Sequence, residues 1–195
     1  MKRLIGGFMI LLFALFVALD VKAQKNLLLN PNADAESDFW RKSGQANVEE
    51  FNGDKVFVVR NKGGFSQDIV LSEADANKYA VLIGRGSSER INADGAITGL
   101  PYLYVYFLNE HKPDGSIIKY LQGKRTLLRI QVKDEWGVMF GVFQVPKGTT
   151  GVRFFLHQAE RLDVPQNGSA ARFDNLGLYL FETEEDALKF VNQYK

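Results

Sequence analysis

Runs in which apolar and polar residues alternate recur along most of the chain. The clearest run spans residues 101–108, where alternate positions hold two sets of side chains: Tyr102, Tyr104 and Tyr106 against Leu103, Val105 and Phe107. Residues two apart lie on the same face of a strand, whereas a helix face repeats every three to four residues. The run therefore predicts a strand with a tyrosine face, and its two bulky faces favour a central position in a sheet.

Turn residues separate these runs and indicate how the strands connect. Residues 48–51 and 55–60 flank Asn52-Gly53-Asp54, and Asn and Gly tolerate the positive φ of a tight hairpin turn. Residues 26–30 predict a short strand that Pro31 ends. Short strands without a long helical period favour an all-β fold, an antiparallel β-sandwich, which we expect to span residues 24–182.

Residues 171–181 predict the last strand of the sandwich. Asp174 has the same parity as Leu176 and Leu178, so strict alternation places this carboxylate in the row that faces the core. A buried carboxylate needs a partner, which is either a hydrogen-bonded segment or a cation. After this strand, Thr183 with Asp186 three residues later is typical of a helix N-cap, so a short C-terminal helix is expected within residues 183–195.

The N-terminus has the pattern of a secretory signal peptide. A basic start is followed by an apolar block and by small residues at Val21 and Ala23, which predicts cleavage after residue 23. The alternative is an uncleaved membrane anchor, but the apolar block is shorter than the roughly 20 residues that a spanning helix needs. The chain contains no cysteine that could carry a lipid or form a disulfide. We expect a secreted or periplasmic protein that does not associate with the membrane after signal cleavage.

The charge balance excludes a nucleic-acid partner. The chain carries 24 basic and 23 acidic residues and a net charge of +1 at pH 7. Nucleic-acid-binding domains carry a strong positive excess that neutralises backbone phosphates. The near balance of charges leaves small molecules, glycans and proteins as partners.

Several short motifs together resemble the galactose-binding-like jelly rolls, a superfamily that includes many non-catalytic carbohydrate-binding modules. The motifs are Asn26 to Pro31, Phe39-Trp40, Val145 to Thr149, and Phe173-Asp174-Asn175-Leu176. The opening motif, with Val48-Glu49-Glu50 and residues 66–69, is also similar to the sugar-binding domain of F-box ubiquitin-ligase subunits. The resemblance implies a jelly-roll sandwich that binds a carbohydrate or glycan.

The resemblance also implies a structural calcium ion. Many modules of this superfamily hold calcium between a loop after the first strand and an acid of the last strand. The matching residues here are Glu36 and Asp174, and calcium prefers carboxylate and carbonyl oxygens. The alternative is that Asp174 accepts backbone hydrogen bonds and Glu36 is a solvated loop residue.

Sugar binding requires exposed aromatic faces and a few fixed polar groups. The candidate ligand-binding residues are Trp136, Tyr102, Tyr104, Tyr106 and Arg85. The tyrosines could instead pack beneath a loop. Trp40 follows a loop and is interpreted as a core residue.

The sequence favours a non-enzymatic function. It contains no nucleophile elbow, zinc-protease motif or phosphate loop, and neither histidine lies in a catalytic motif. We therefore expect a secreted or periplasmic non-catalytic carbohydrate-binding module. One alternative is a structural or adhesive envelope domain that binds an envelope or extracellular protein. A secreted glycoside hydrolase is a more remote alternative, since it requires two acids facing each other across a cleft.

Overall fold

Strands account for most of the structure. The computed structural model describes residues 24–89, 100–111, 117–127, 135–159 and 170–194, so the predicted signal peptide lies outside the described residues. Within them the chain forms these elements: β1 (Arg41–Phe51), β2 (Asp54–Val70), a 3-10 turn (Glu73–Asp75), β3 (Tyr79–Ser88), β4 (Leu100–His111), β5 (Ile117–Leu127), β6 (Gly137–Gln144), β7 (Gly151–Ala159), β8 (Ala171–Phe181) and α1 (Glu184–Asn192). All strand pairs are antiparallel, as predicted.

The long strand β2 joins two layers of a β-sandwich. Its residues 64–70 pair with β7, which continues into β4 and β5 to form the first layer. Its residues 57–59 pair with β8, which continues into β3 and β6 to form the second layer. Strand β1 follows β2 along both halves, with a register shift between Ser43 and Gln45. The predicted Asn52-Gly53 hairpin is confirmed, since both residues have positive φ, 56° and 90°.

The bend in the β1–β2 hairpin requires glycine. A Cβ at Gly63 would lie 2.5 Å from the backbone oxygen of Gln45, a contact that backbone atoms cannot relieve. Gly44, at the register shift, has a φ of 56°. Extra residues in one strand bend it and increase its twist. The glycines therefore permit the close strand approach at the point where the chain passes from one layer to the other.

Side chains from both layers form one core. Phe57 of the second layer packs against Phe65 of the first layer, with ring centroids 5.0 Å apart. Trp40 is 6% exposed and lies 5.0 Å from Phe57 and 6.1 Å from Phe154, which confirms that it is a core residue. Burying an aromatic side chain of this size stabilises the fold by about 1.5–3 kcal/mol.

The segment at 26–30 does not form the predicted strand. It lies beside β8, where Leu27 N donates to Leu178 O at 2.9 Å. The Asn26 side chain accepts from Leu178 N at 3.1 Å and donates to Leu176 O at 2.9 Å, so a side chain makes bonds that a strand backbone would make. Asn30 then has a φ of 47°, which ends the extended conformation.

The prediction that Asp174 faces the core is wrong. Asn175 has a φ of 50°, and the β3–β8 register shifts between Ile83 and Arg85, so β8 contains a bulge at this point. A bulge adds one residue and reverses the parity of the side chains that follow. Phe173 therefore joins Leu176 and Leu178 in the core, while half-buried Asp174 lies opposite the exposed Arg85.

Helix α1 packs on the outer surface of the second layer. Its N-cap is Thr183, whose hydroxyl accepts from Asp186 N at 3.2 Å, as the sequence predicted. Ala187 and Val191 are buried against Val81 and Ile83 of β3. In the described part of the chain, no helix is both long and apolar enough to cross a membrane.

Candidate functional site

The outer surface of the first layer presents the predicted tyrosine row. Leu103, Val105 and Phe107 are fully buried in the core, so the alternate positions of β4 face outward. Each tyrosine has a direct cross-strand partner on β7: Tyr102 pairs with His157, Tyr104 with Phe155, and Tyr106 with Arg153. We call Tyr102, Tyr104, Tyr106, Phe155 and His157 the aromatic face. All five of its residues are half-buried.

The rings of the aromatic face contact one another. Tyr104 stacks on Phe155 with centroids 4.6 Å apart and planes 9° from parallel. Tyr102 and Tyr106 lie 5.2 and 5.4 Å from Tyr104, and His157 lies 5.7 Å from it. Aromatic pairs at these separations contribute about 0.5–1.5 kcal/mol beyond the area that they bury. The sheet and these contacts hold the rings in fixed orientations.

A charged cluster borders the aromatic face. Arg153 donates from Nε to Asp68 Oδ1 at 2.6 Å and from Nη2 to Asp68 Oδ2 at 2.8 Å. Arg41 Nη2 also lies 2.5 Å from Asp68 Oδ2. Burial alone would raise the pKa of Asp68, but hydrogen bonds from Arg153 and Arg41 lower it below the usual value. Asp68 therefore stays ionised and holds two guanidinium groups beside the rings.

Small residues of β2 lie opposite the rings of β7. Gly64 lies opposite His157, and a Cβ at Gly64 would come within 2.7 Å of His157 Nε2. Ser66 lies opposite Phe155 in the next row. Burial lowers the pKa of His157, which therefore favours its neutral form. The His157 ring therefore packs over Gly64, and Ser66 is the small β2 side chain beside Phe155.

Two of the predicted binding residues lie on the opposite side of the molecule. Arg85 and Trp136 are on the outer surface of the second layer, where the Arg85 guanidinium lies 5.5 Å from the centroid of the Trp136 ring. The Trp136 ring also contacts Phe51 edge-on at 6.1 Å. The structure therefore brings the three tyrosines together and separates them from Arg85 and Trp136.

A shallow cavity of about 440 Å³ lies beside Arg85. Its lining combines strand residues with the end of the chain: Ile83, Gly84, Arg85, Val138, Asn175 and Tyr194. This cavity adjoins the β8 bulge and the end of helix α1. It contains none of the residues of the aromatic face.

Comparisons with known proteins identify the fold. Protein-family models and curated proteins give no match. Solved structures do: TmCBM61 in complex with β-1,4-galactotriose has a TM-score of 0.52 and 18% identity, and the match covers 82% of this chain and 99% of that one. The CBM22-2 xylan-binding domain from Paenibacillus barcinonensis Xyn10C has a TM-score of 0.50 and 12% identity over 77% and 97% of the two chains. The chain has a carbohydrate-binding-module fold.

An enzyme also contains a domain similar to this module fold. The enzymatically active domain of the bacteriophage CBA120 tailspike protein 4 has a TM-score of 0.55 and 16% identity. The match covers 80% of this chain but 21% of the tailspike chain. The likenesses to the two carbohydrate-binding modules confirm the predicted antiparallel β-sandwich fold.

The two predicted calcium ligands lie in different surroundings. Lys55 Nζ lies 2.5 Å from Glu36 Oε1, in a pair whose side chains are both about half exposed. Burial raises the pKa of Asp174, although a backbone hydrogen bond from Asn175 and the charge of Arg85 act in the opposite direction. Within the described residues, the acids and histidines do not form a group of three that could hold a metal ion by themselves. Calcium binding stays a prediction that would need backbone carbonyl ligands as well as these carboxylates.

The sequence interpretation missed the β7 half of the aromatic face. Phe155 and His157 were not among the predicted binding residues, and neither were Asp68 and Arg153. The alternation in 151–157 places Arg153, Phe155 and His157 on one face of a strand, so the necessary signal was present. The pairing of β4 with β7, which places this face beside the tyrosine row, could not be predicted from the sequence.

Proposed function

We propose that this protein is a secreted or periplasmic non-catalytic module that binds carbohydrate on its aromatic face. The observation that supports the proposal most directly is the contiguous set of five rings on one surface of the sandwich. The neighbouring folds include modules solved with β-1,4-galactotriose or named for xylan binding. Secretion rests on the predicted signal peptide.

The chemistry of the aromatic face suits a sugar. The apolar C–H surface of a pyranose packs against an aromatic ring, and tyrosine adds a hydroxyl that can hydrogen-bond to sugar hydroxyls. Tyr102, Tyr104 and Tyr106 are spaced along one strand at about 7 Å, twice the rise per residue, so an extended oligosaccharide could contact all three. Because the rings are already ordered, binding would cost little side-chain entropy.

The charged groups near the face argue against glycoside hydrolysis. The retaining and inverting mechanisms both need a pair of carboxyl groups, one of which is protonated before it acts. Among the described strand side chains of this surface, Asp68 is the carboxylate present, and its lowered pKa and two guanidinium partners make it a poor proton donor. We therefore propose binding without catalysis.

A glycan array with the purified protein tests this function. We expect selective signal on one class of glycan, and titration calorimetry should then give the affinity. Tyr104→Ala should weaken binding by about 5- to 30-fold, since losing a stacked ring costs about 1–2 kcal/mol of burial. The matched control is Tyr194→Ala, a partly exposed tyrosine on the other side of the molecule, which should leave the affinity unchanged.

A blank array from folded protein would overturn the proposal. The leading function would then be the predicted alternative, a structural or adhesive domain that binds an envelope or extracellular protein. Equal losses of affinity in Tyr104→Ala and Tyr194→Ala would instead remove the aromatic face as the site while retaining carbohydrate binding.

We further propose that a structural calcium ion binds near Asp174 and the loop that contains Glu36. Support comes from the position of the N-terminal loop beside β8, where Leu176 N donates to Pro31 O at 3.2 Å. Asp34 and Asp54 lie close enough to Asp174 for their charges to act on its pKa, so several carboxylates converge here. The Lys55–Glu36 ion pair is solvent-accessible, so Glu36 could leave Lys55 and bind calcium at a small cost in free energy. Calcium would then tie the N-terminal loop to the last strand.

A further inference from the structure

Phe39 combines two features that are unusual for a phenylalanine. Its side chain is 64% exposed, although phenylalanine is among the residues that are most often buried. Its backbone has a φ of 69°, in the left-handed region that bulky side chains rarely adopt. Backbone strain of this kind clusters at active sites and ligand-binding segments. Packing within the fold does not explain a large ring at this position, whereas contact with a ligand would explain it.

Neighbouring residues hold the backbone of Phe39 in place. The next residue, Trp40, is buried in the core, and its backbone N donates to Ser37 O at 3.0 Å. The ring Nε1 of Trp40 donates to Asn30 O at 3.1 Å. Gln67 of β2 is also buried, and its Nε2 donates to Phe39 O at 3.4 Å. The fold therefore maintains the left-handed conformation at Phe39 and leaves the ring at the surface.

Phe39 lies at the border of the layer that carries the aromatic face. Arg41 pairs with Ser66 at the start of β1. Strands β1 and β2 are antiparallel, so continuing this register brings Phe39, two residues before Arg41, level with Asp68. The hydrogen bond from Gln67 to Phe39 O agrees with this placement.

A cross-strand row leads from Phe39 to the aromatic face. Asp68 pairs with Arg153, which pairs in turn with Tyr106. Neighbouring strands are about 4.8 Å apart, so the backbone of Phe39 lies roughly 14 Å from that of Tyr106. The row thus has an aromatic ring at each end and the Asp68–Arg153 ion pair in the middle.

This arrangement suits an oligosaccharide that crosses the strands. Aromatic rings pack against the apolar C–H surface of a pyranose, and a few polar groups fix its orientation. A carboxylate accepts hydrogen bonds and a guanidinium donates them, so the ion pair can bind uncharged sugar hydroxyls. A single sugar cannot contact rings that are separated by roughly 14 Å, so the second ring would contribute to the binding of longer ligands.

We propose that Phe39 is a second aromatic contact for an oligosaccharide, so that the binding site extends across β1, β2, β7 and β4. This inference rests on the proposed carbohydrate-binding function and defines its ligand as a chain of several sugars. Phe39 determines specificity for the length of that chain. Glycine would fit the backbone conformation at this position better, but it would remove the ring that contacts the ligand.

Calorimetry with saccharides of two lengths tests the inference on protein expressed from the full-length chain. The probes are β-1,4-galactobiose and β-1,4-galactohexaose, with xylobiose and xylohexaose as a second series. In at least one series, Phe39→Ala should weaken hexasaccharide binding by about tenfold, because the ligand loses the area that it buries against the ring. The same variant should leave disaccharide binding unchanged. Phe39→Trp retains an aromatic ring and should bind both lengths as wild type does.

The matched control is Leu188→Ala. Leu188 is an exposed apolar residue of helix α1, on the other layer of the sandwich, and it is 46% exposed. Its truncation should leave the affinity for both lengths unchanged. A loss of hexasaccharide affinity in Phe39→Ala that Leu188→Ala does not share would therefore belong to the position of the ring.

Phe39→Gly separates a ligand contact from a structural role. Glycine adopts a φ of 69° without steric cost, so this variant should melt about 2–6 °C above Phe39→Ala and at or above the wild-type temperature. Its affinity for the hexasaccharide should nevertheless fall as far as that of Phe39→Ala. A ring that stabilised the fold would give the opposite result, with a lower melting temperature in both variants.

The outcomes distinguish this inference from the proposed function. If Phe39→Ala and Phe39→Gly bind the hexasaccharide as tightly as wild type does, the extended site is overturned and carbohydrate binding is retained. Equal losses for both ligand lengths, or lower melting temperatures in both variants, would also overturn the role of Phe39. A folded protein that gives a blank glycan array and binds none of the four probes would overturn both the inference and the proposed function.

Discussion

Asp68 holds the charged border of the aromatic face together, so its replacement by asparagine has a calculable effect. Asp68→Asn keeps the size of the side chain and one acceptor oxygen but removes the negative charge. The Arg41 pair is half exposed and contributes about 0–1 kcal/mol. The two-bond Arg153 pair is largely buried, and charge-assisted hydrogen bonds contribute about 1.5–3 kcal/mol.

These contributions predict a loss of about 2 kcal/mol in the free energy of unfolding, since asparagine retains part of the hydrogen bonding. For a domain of this size, that loss corresponds to a decrease of roughly 4–8 °C in melting temperature. Thermal melts and urea titrations at pH 7 measure both quantities. The matched control is Glu50→Gln, which neutralises an exposed carboxylate on β1 and should change the melting temperature by much less.

The pH dependence provides a second test of the same reasoning. The pKa of Asp68 is lowered in the folded protein, so its stabilising contribution is present above the usual aspartate pKa and is lost as the pH falls through the lower folded-state value. The difference in free energy of unfolding between wild type and Asp68→Asn should therefore be greatest at pH 7 and should decrease below about pH 3.8. A difference of zero at pH 7 would refute the ion-pair estimate. A difference that stays constant down to pH 2 would show that the charge is not its cause.

Two further predictions concern the bend and the metal. Gly63→Ala should destabilise the fold by about 1–3 kcal/mol, because its Cβ would meet the Gln45 backbone at 2.5–2.6 Å, and an unchanged urea midpoint would contradict this. Millimolar calcium should raise the melting temperature by roughly 5–10 °C if it exceeds the dissociation constant about 100-fold, whereas magnesium should raise it much less. Asp174→Asn should abolish the calcium effect, and equal responses of wild type and variant would exclude Asp174 as a ligand.

Local patterns in the sequence predicted those features that depend on neighbouring residues. The alternation in 101–108 gave both faces of β4, because a strand has a two-residue period whatever its partners are. Asn52-Gly53 predicted the β1–β2 turn, and Thr183 with Asp186 predicted the start of helix α1. The turn and the helix N-terminus are each specified by about four neighbouring residues. These predictions needed no knowledge of the rest of the fold.

The errors arose where one residue departs from the local rule. Asn175 adopts a φ of 50° and inserts a bulge into β8, so strict alternation assigned Asp174 to the wrong face. Asparagine tolerates this conformation, but its presence alone does not show that a strand contains a bulge. The pairing of β4 with β7 involves residues far apart in the chain, so the sequence could not show that Phe155 stacks on Tyr104.

The two outer surfaces of the sandwich use their aromatic residues differently. The predicted binding residues lie on both surfaces, with the tyrosines on the first layer and Arg85 and Trp136 on the second. On the second layer, the aromatic side chains are used for packing within the chain: Phe190 of helix α1 contacts Tyr179 at 4.6 Å and Phe181 at 5.1 Å. Trp136 likewise packs against Phe51 and Arg85. On the first layer, Tyr104 and Phe155 stack on each other while lying half-buried on a sheet surface that α1 does not cover. Within the described residues, α1 packs on the second layer and leaves this row of rings uncovered beside solvent-exposed Arg41, and the proposal that the first layer binds a ligand rests on this difference.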